Sequence, residues 1–124
     1  MRTIADIKTD RQLSAPKVVT TREEMVFSKI PETACTIPVG TQLEVYFSQV
    51  NPSRIYFEYN GSLRVTSAEW ADKRFTGFSK KPGISTLRRW DMDGYCKTIT
   101  GKKTEPDGFG EDGSPSWMLA MGLI

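Results

Sequence analysis

Along this chain the hydrophobic and polar positions change texture twice. From Thr36 onward TIPVGTQLEVYFSQ, residues 36–49, sets β-branched and aromatic residues in near alternation with polar ones, and Gly40 punctuates it. RIYFEYNGSLRV, residues 54–65, places Ile55, Phe57 and Tyr59 on one face, turns at Asn60-Gly61 and resumes with Leu63 and Val65. An Asn-Gly pair between alternating runs predicts a tight hairpin, because both turn positions need positive φ. A two- or three-stranded antiparallel sheet over 36–65 follows.

Beyond the hairpin the spacing becomes helical. TSAEW, residues 66–70, has a threonine followed three residues later by glutamate, the capping-box spacing, and predicts a short helix over about 67–74. FTGFSKKPG, 75–83, breaks it with two glycines and Pro82. A second helix then starts near Ile84 or Ser85 and ends where Gly94 takes the left-handed position. At about 100° per residue its Ile84, Leu87 and Trp90 form an apolar stripe, while Ser85, Arg88, Arg89 and Met92 point the other way. YCKTITGKKTEPDG, 95–108, reads as a small hairpin with its turn at Thr100-Gly101.

The two ends differ from this middle. Residues 1–35 lack a sustained period and read as a partly ordered arm, in which TTREEMVFSKI, 20–30, predicts a short helix stopped by Pro31. Residues 105–124 form an acidic loop and an apolar segment, with Trp117, Met118, Leu119, Met121, Leu123 and Ile124 crowded near the end. This segment is expected to close the core as a strand or short helix; exposed, it would mark a partner site carried by Trp117, Leu119 and Leu123. The expected architecture is one α+β domain over 36–124: a small antiparallel sheet (36–65), a winged-helix-like two-helix unit with a β-hairpin wing (66–104), then the acidic loop and apolar end.

Composition narrows the chemistry. The 124 residues, 38% hydrophobic and 26% charged, suffice for one core and not for two ordinary domains. Histidine is absent, which removes the usual zinc sets, the serine and cysteine triads and the commonest general base. Cys35 and Cys96 stand far apart and are expected to be reduced and structural. Asp91, Asp93, Asp107, Glu111 and Asp112 match no metal-loop spacing, and no phosphate loop or nucleophile elbow is present. The expectation is a non-enzyme without metal or cofactor. No apolar run approaches the length of a membrane span, about 18 residues, and the first residues are polar, so a cytoplasmic protein with no membrane contact is expected, in a bacterial cell or the host cell of a phage.

Charge adds a direction. The net +2 conceals a basic middle, since residues 62–104 carry ten Lys/Arg against four acids while 105–124 carry four acids and no base. A localised basic stretch in a small protein is the footprint of a polyanion partner.

TSAEWADKR, 66–74, followed by KKPGISTLRRWDMDG, 80–94, resembles the core of phage excisionases, the recombination directionality factors, and more distantly the DNA-binding heads of MerR-type regulators. The resemblance covers about residues 66–104, and the apolar end is similar to tails of small proteins of phages and mobile elements. It implies that the second helix enters the major groove of duplex DNA and that the wing follows the neighbouring minor groove. Carried over by position, Arg88 and Arg89 would contact bases or phosphates, and Ser85 and Thr86 would sit near the backbone at the helix start. Lys97, Lys102 and Lys103 would neutralise phosphates. Asp91, Met92 and Asp93 depart from the basic continuation of the family pattern. The family couples DNA binding to contact with an integrase, so an integrase or another host or phage protein is an expected second partner.

Two other functions remain open on the residues alone. A phage-type interaction module or inhibitor would bind a host protein through the sheet or the apolar end. A small SH3-like or OB-like barrel would bind single strands through Tyr46, Phe47, Tyr56, Phe57 and Tyr59 with Arg54 or Arg64, Tyr56 being the aromatic that alternation turns outward. Trp70 and Trp90 read as core anchors.

Overall fold

The fold is described from a computed structural model over residues 4–9, 11–27 and 35–124. Strands β1 (Lys17–Thr20), β2 (Met25–Phe27), β3 (Cys35–Ile37), β4 (Gln42–Phe47), β5 (Arg54–Tyr59) and β6 (Ser62–Ser67) follow a short N-terminal helix α1 (Ile4–Ile7). The main sheet is antiparallel in the order β1-β4-β5-β6, and β2 pairs with β3 beside it. Two helices follow, α2 (Ala68–Arg74) and α3 (Ile84–Asp93), then a small hairpin of β7 (Cys96–Lys97) and β8 (Lys103–Thr104) and a closing helix α4 (Trp117–Ala120).

The β5–β6 turn forms as predicted. Tyr59 pairs with Ser62 across Asn60 at φ 53° and Gly61 at φ 76°, the two positive values that a two-residue primed turn requires. Alternation along β4 and β5 sends Leu43, Val45, Phe47, Ile55 and Phe57 into one core, where Phe75, Leu87, Trp90, Ile99 and Trp117 meet them.

The other sheet face is also covered. Ile4 and Ile7 of α1 pack on Tyr56, with Leu13, Tyr46 and Leu63 around them. Tyr56 is therefore buried, and Asn51 Nδ2 donates to its hydroxyl at 3.1 Å. The outward aromatic on which the single-strand barrel depended is not outward.

The expected winged-helix core is absent. Strands dominate the architecture, and the sheet is larger than 36–65 because β1, from the segment read as an arm, forms its edge. In a helix-turn-helix, two helices pack together across a turn of about three or four residues. Here residues 75–83 are tied to the end of β1 instead: Phe75 bridges Thr21 and Thr76 N–H donates to Thr20 C=O at 2.8 Å before α3 begins at Ile84. α2 consequently packs on β5 and β6, whereas α3 packs on β7.

Three local expectations shift as well. Residues 25–27 are a strand where a helix over 20–30 was predicted, because Met25 and Val26 pair with Ile37 and Thr36; residues 28–30 lie outside the described part. Thr66 remains in β6, and Ser67 caps α2 by accepting from Trp70 N–H at 3.1 Å, one residue later than the capping-box spacing implies. Ile84 belongs to the helical stripe by spacing but is 66% exposed, since only Leu87 and Trp90 reach the core. Among the described residues no helix is long and apolar enough to cross a membrane.

Candidate nucleic-acid interface

α3 forms where the pattern placed it. Gly83 precedes it in extended conformation with no side-chain cap, and Gly94 ends it at φ 76°, donating to the carbonyls of Trp90 and Asp91. Leu87 and Trp90 anchor the helix, which turns Ser85, Arg88, Arg89 and Met92 to solvent. Arg88 and Arg89 stand about 100° apart on this helix. Arg89 lies one turn after the half-buried Thr86; Arg88 shares an outward row with Ile84 and Met92, the latter 86% exposed.

The β7–β8 hairpin stands beside α3. Lys97, Lys102 and Lys103 are exposed on it, and Lys103 Nζ sits 4.7 Å from the Tyr95 ring centroid, a cation–π contact. The sequence-predicted residues Ser85, Thr86, Arg88, Arg89, Lys97, Lys102 and Lys103 thus come to two adjoining elements.

A buried polar cluster sets the angle of this hairpin. Thr98 Oγ1 accepts from Thr100 N–H at 3.3 Å and Lys102 N–H at 3.0 Å, closing the turn. Thr100 Oγ1 donates to Asp112 Oδ2 at 2.6 Å, and Ser114 donates to Asp112 Oδ1 through its hydroxyl at 2.6 Å and its N–H at 3.1 Å. Burial pushes the Asp112 carboxyl up, but the hydrogen bonds from Ser114 and Thr100 outweigh it and hold the group below its ordinary value. The acidic loop, foreign to the excisionase pattern, acts here as a clamp on the hairpin.

Trp117 completes the support. It is 1% exposed, and its Nε1 donates to Ser79 Oγ at 3.0 Å, while the Ser79 hydroxyl donates toward the carbonyls of Thr98 and Ile99, each at 3.2 Å. Trp117 is a core anchor and no surface contact; Leu119 is half-buried, and of the three apolar residues named for a partner only Leu123, at 58%, is exposed.

Two depressions flank the segment Ser79–Lys81, which sequence reasoning had treated only as a turn. On the hairpin side a cleft of about 350 Å³ is lined by Lys80, Lys81, Thr86, Trp90, Lys97 and Trp117 among others, with no acidic residue in its lining. On the α2 side a groove of about 600 Å³ is lined by Arg22, Asp72, Lys73, Lys80 and Lys81. Burial raises the Asp72 carboxyl above its ordinary value, against the lowering effect of Arg22, Lys81 and Lys73. Lys80 and Lys81 were legible in the KKPG run. Arg22 and Lys73 carried no local signal, since only the fold brings them to the same groove.

The ion pairs Arg74–Glu23 at 3.1 Å and Lys81–Glu69 at 3.7 Å both lie at the surface, and among the described residues Arg88, Arg89, Lys97, Lys102 and Lys103 enter no ion pair. No group of three or more potential metal ligands gathers among the described residues. Cys96 is a free, fully buried thiol, in keeping with a structural role. Comparison with protein-family models, curated proteins and solved structures finds no match to this chain.

Proposed function

We propose that this chain is a non-catalytic duplex-DNA-binding protein, a cytoplasmic architectural or regulatory factor of the kind phages and mobile elements use. One observation carries it: α3 and the adjoining β7–β8 hairpin expose Arg88, Arg89, Lys97, Lys102 and Lys103 to solvent, outside the ion pairs of the described residues. The reading rests on this exposed charge and does not require a winged-helix core. Arginine grips guanine O6 and N7 in the major groove bidentately, and lysines on a neighbouring element neutralise phosphates and fix the register. The resemblance of 66–104 to excisionases supports the same class and makes an integrase a reasonable co-bound partner. Asp91 and Asp93, exposed at the far end of α3, orient the approach by repelling the backbone there.

The test is fluorescence anisotropy with a mixed-sequence duplex of about two helical turns, at low and near-physiological salt. Micromolar binding that weakens steeply with salt and is lost in an Arg88→Ala/Arg89→Ala variant with an unchanged melting curve supports the proposal. Normal binding by that variant assigns α3 no role and overturns it.

A second reading has its own observation. Ile84, Arg88 and Met92 form one exposed row along α3, with Ile84 66% and Met92 86% exposed, a spacing suited to a helix-in-groove protein contact. Under that reading Met92→Ser weakens capture of a partner protein and leaves duplex binding absent in both forms.

A further inference from the structure

The cleft and the groove on either side of Ser79–Lys81 share Lys80 and Lys81, so they form one basic tract that leads from the hairpin to α2. The tract holds Lys97, Lys80, Lys81, Lys73 and Arg22; among the described residues Asp72 is the carboxylate in its lining, and Glu69 pairs with Lys81. Taking the duplex-DNA reading as given, we infer that this tract carries one DNA strand's phosphates past the N-terminal end of α3 toward α2, and that Asp72 is a resident anion competing with them for Arg22, Lys73 and Lys81.

Three features argue for phosphates in particular. The hairpin-side cleft carries Lys80, Lys81 and Lys97, and the rest of its lining is neutral, with no acidic side chain. Its position beside Thr86 joins it to the cleft-facing side of α3, where Arg89 stands one turn further on. The number of charges also fits: a strand crossing both depressions meets Lys97, Lys80, Lys81, Lys73 and Arg22, enough to neutralise several of its phosphates. Lys81 is turned toward α2 by Glu69 at 3.7 Å, a surface pair weak enough for a phosphate to replace.

Asp72 makes the inference sharp. It is half-buried in the α2-side groove, and Arg22, Lys73 and Lys81 all act on it. A phosphate entering the same groove meets its repulsion. Neutralising Asp72 therefore strengthens DNA binding, an effect a merely solvated basic surface would not single out.

The experiment measures duplex affinity against salt for the full chain and four variants. Asp72→Asn is expected to tighten binding at low salt by about threefold, the size of one unit-charge repulsion across several ångströms of water. Glu44→Gln, which changes net charge equally on β4 of the main sheet, is the control and is expected to move affinity less. Arg22→Ala/Lys73→Ala and Lys80→Ala/Lys97→Ala should each flatten the log–log salt slope by about two units, close to one per phosphate contact. If the wild type binds but Asp72→Asn matches Glu44→Gln, or either double variant keeps the full slope, the tract is overturned while duplex binding through α3 stands. If the wild type binds no duplex at low salt, both fall; retention of poly-glutamate in that case assigns the tract to an acidic polypeptide instead.

Discussion

Asp112 links the acidic end of the chain to the basic hairpin by accepting from the Thr100 hydroxyl, and two hydrogen bonds from Ser114 within its own segment hold its carboxylate in place. Its carboxyl is held below the ordinary value, about 3.9 for an unperturbed aspartate, so the folded state prefers it ionised more strongly than the unfolded chain does. The stability it contributes is present above that ordinary value and is lost as pH falls through the lowered folded one. Asp112→Asn should cost about 1–3 kcal/mol at neutral pH, the range for hydrogen bonds to a charged group left unmade. Urea melts at pH 7 and pH 3 check this: the gap between wild type and variant should narrow in acid, and a constant gap would mean that the carboxylate charge is immaterial. Trp117 belongs to the same support, and Trp117→Ala should cost about 3–5 kcal/mol by cavity formation, enough to lower the melting temperature steeply.

Among the elements, those defined by neighbouring residues were legible. The Asn60-Gly61 turn, the α3 stop at Gly94 and the hairpin turning at Thr100-Gly101 each depend on a few residues in sequence, and each stands where the pattern put it. What failed depended on distant partners. Met25–Phe27 is a strand because Cys35–Ile37 pairs with it, Tyr56 is buried because Ile4 and Ile7 cross the sheet, and α2 and α3 separate because Phe75 and Thr76 join the end of β1. No window of helical or alternating period contains those contacts. The α1 contact gives its own prediction. Ile7 is 2% exposed against Tyr56, so Ile7→Ala should destabilise the fold by about 2 kcal/mol, the lower end for such truncations because a four-residue helix can settle into the gap. Chemical denaturation measures the loss, and a change below about 0.5 kcal/mol, the scale of ordinary surface substitutions, would mean that α1 does not cover the sheet in solution.

At the scale of the whole molecule, the basic middle of the sequence becomes a surface running from the hairpin and α3 across Lys80 and Lys81 to Arg22 and Lys73. The α3 and hairpin part was legible, since the exposed arginines and lysines lie within one stretch of chain. The Arg22, Lys73 and Asp72 part was not, because residue 22 reaches it through the end of β1, where Arg22 N–H donates to Arg74 C=O at 2.7 Å. The most direct test of the DNA-binding face is a ¹H–¹⁵N chemical-shift titration of the full chain with a duplex of about two helical turns at low salt. The account predicts perturbations concentrated over residues 79–103, extending to Arg22 and Lys73, with the α1 face of the sheet unmoved. Shifts centred on Leu123 and the chain end, shifts spread evenly over the surface, or no shifts at all would contradict it.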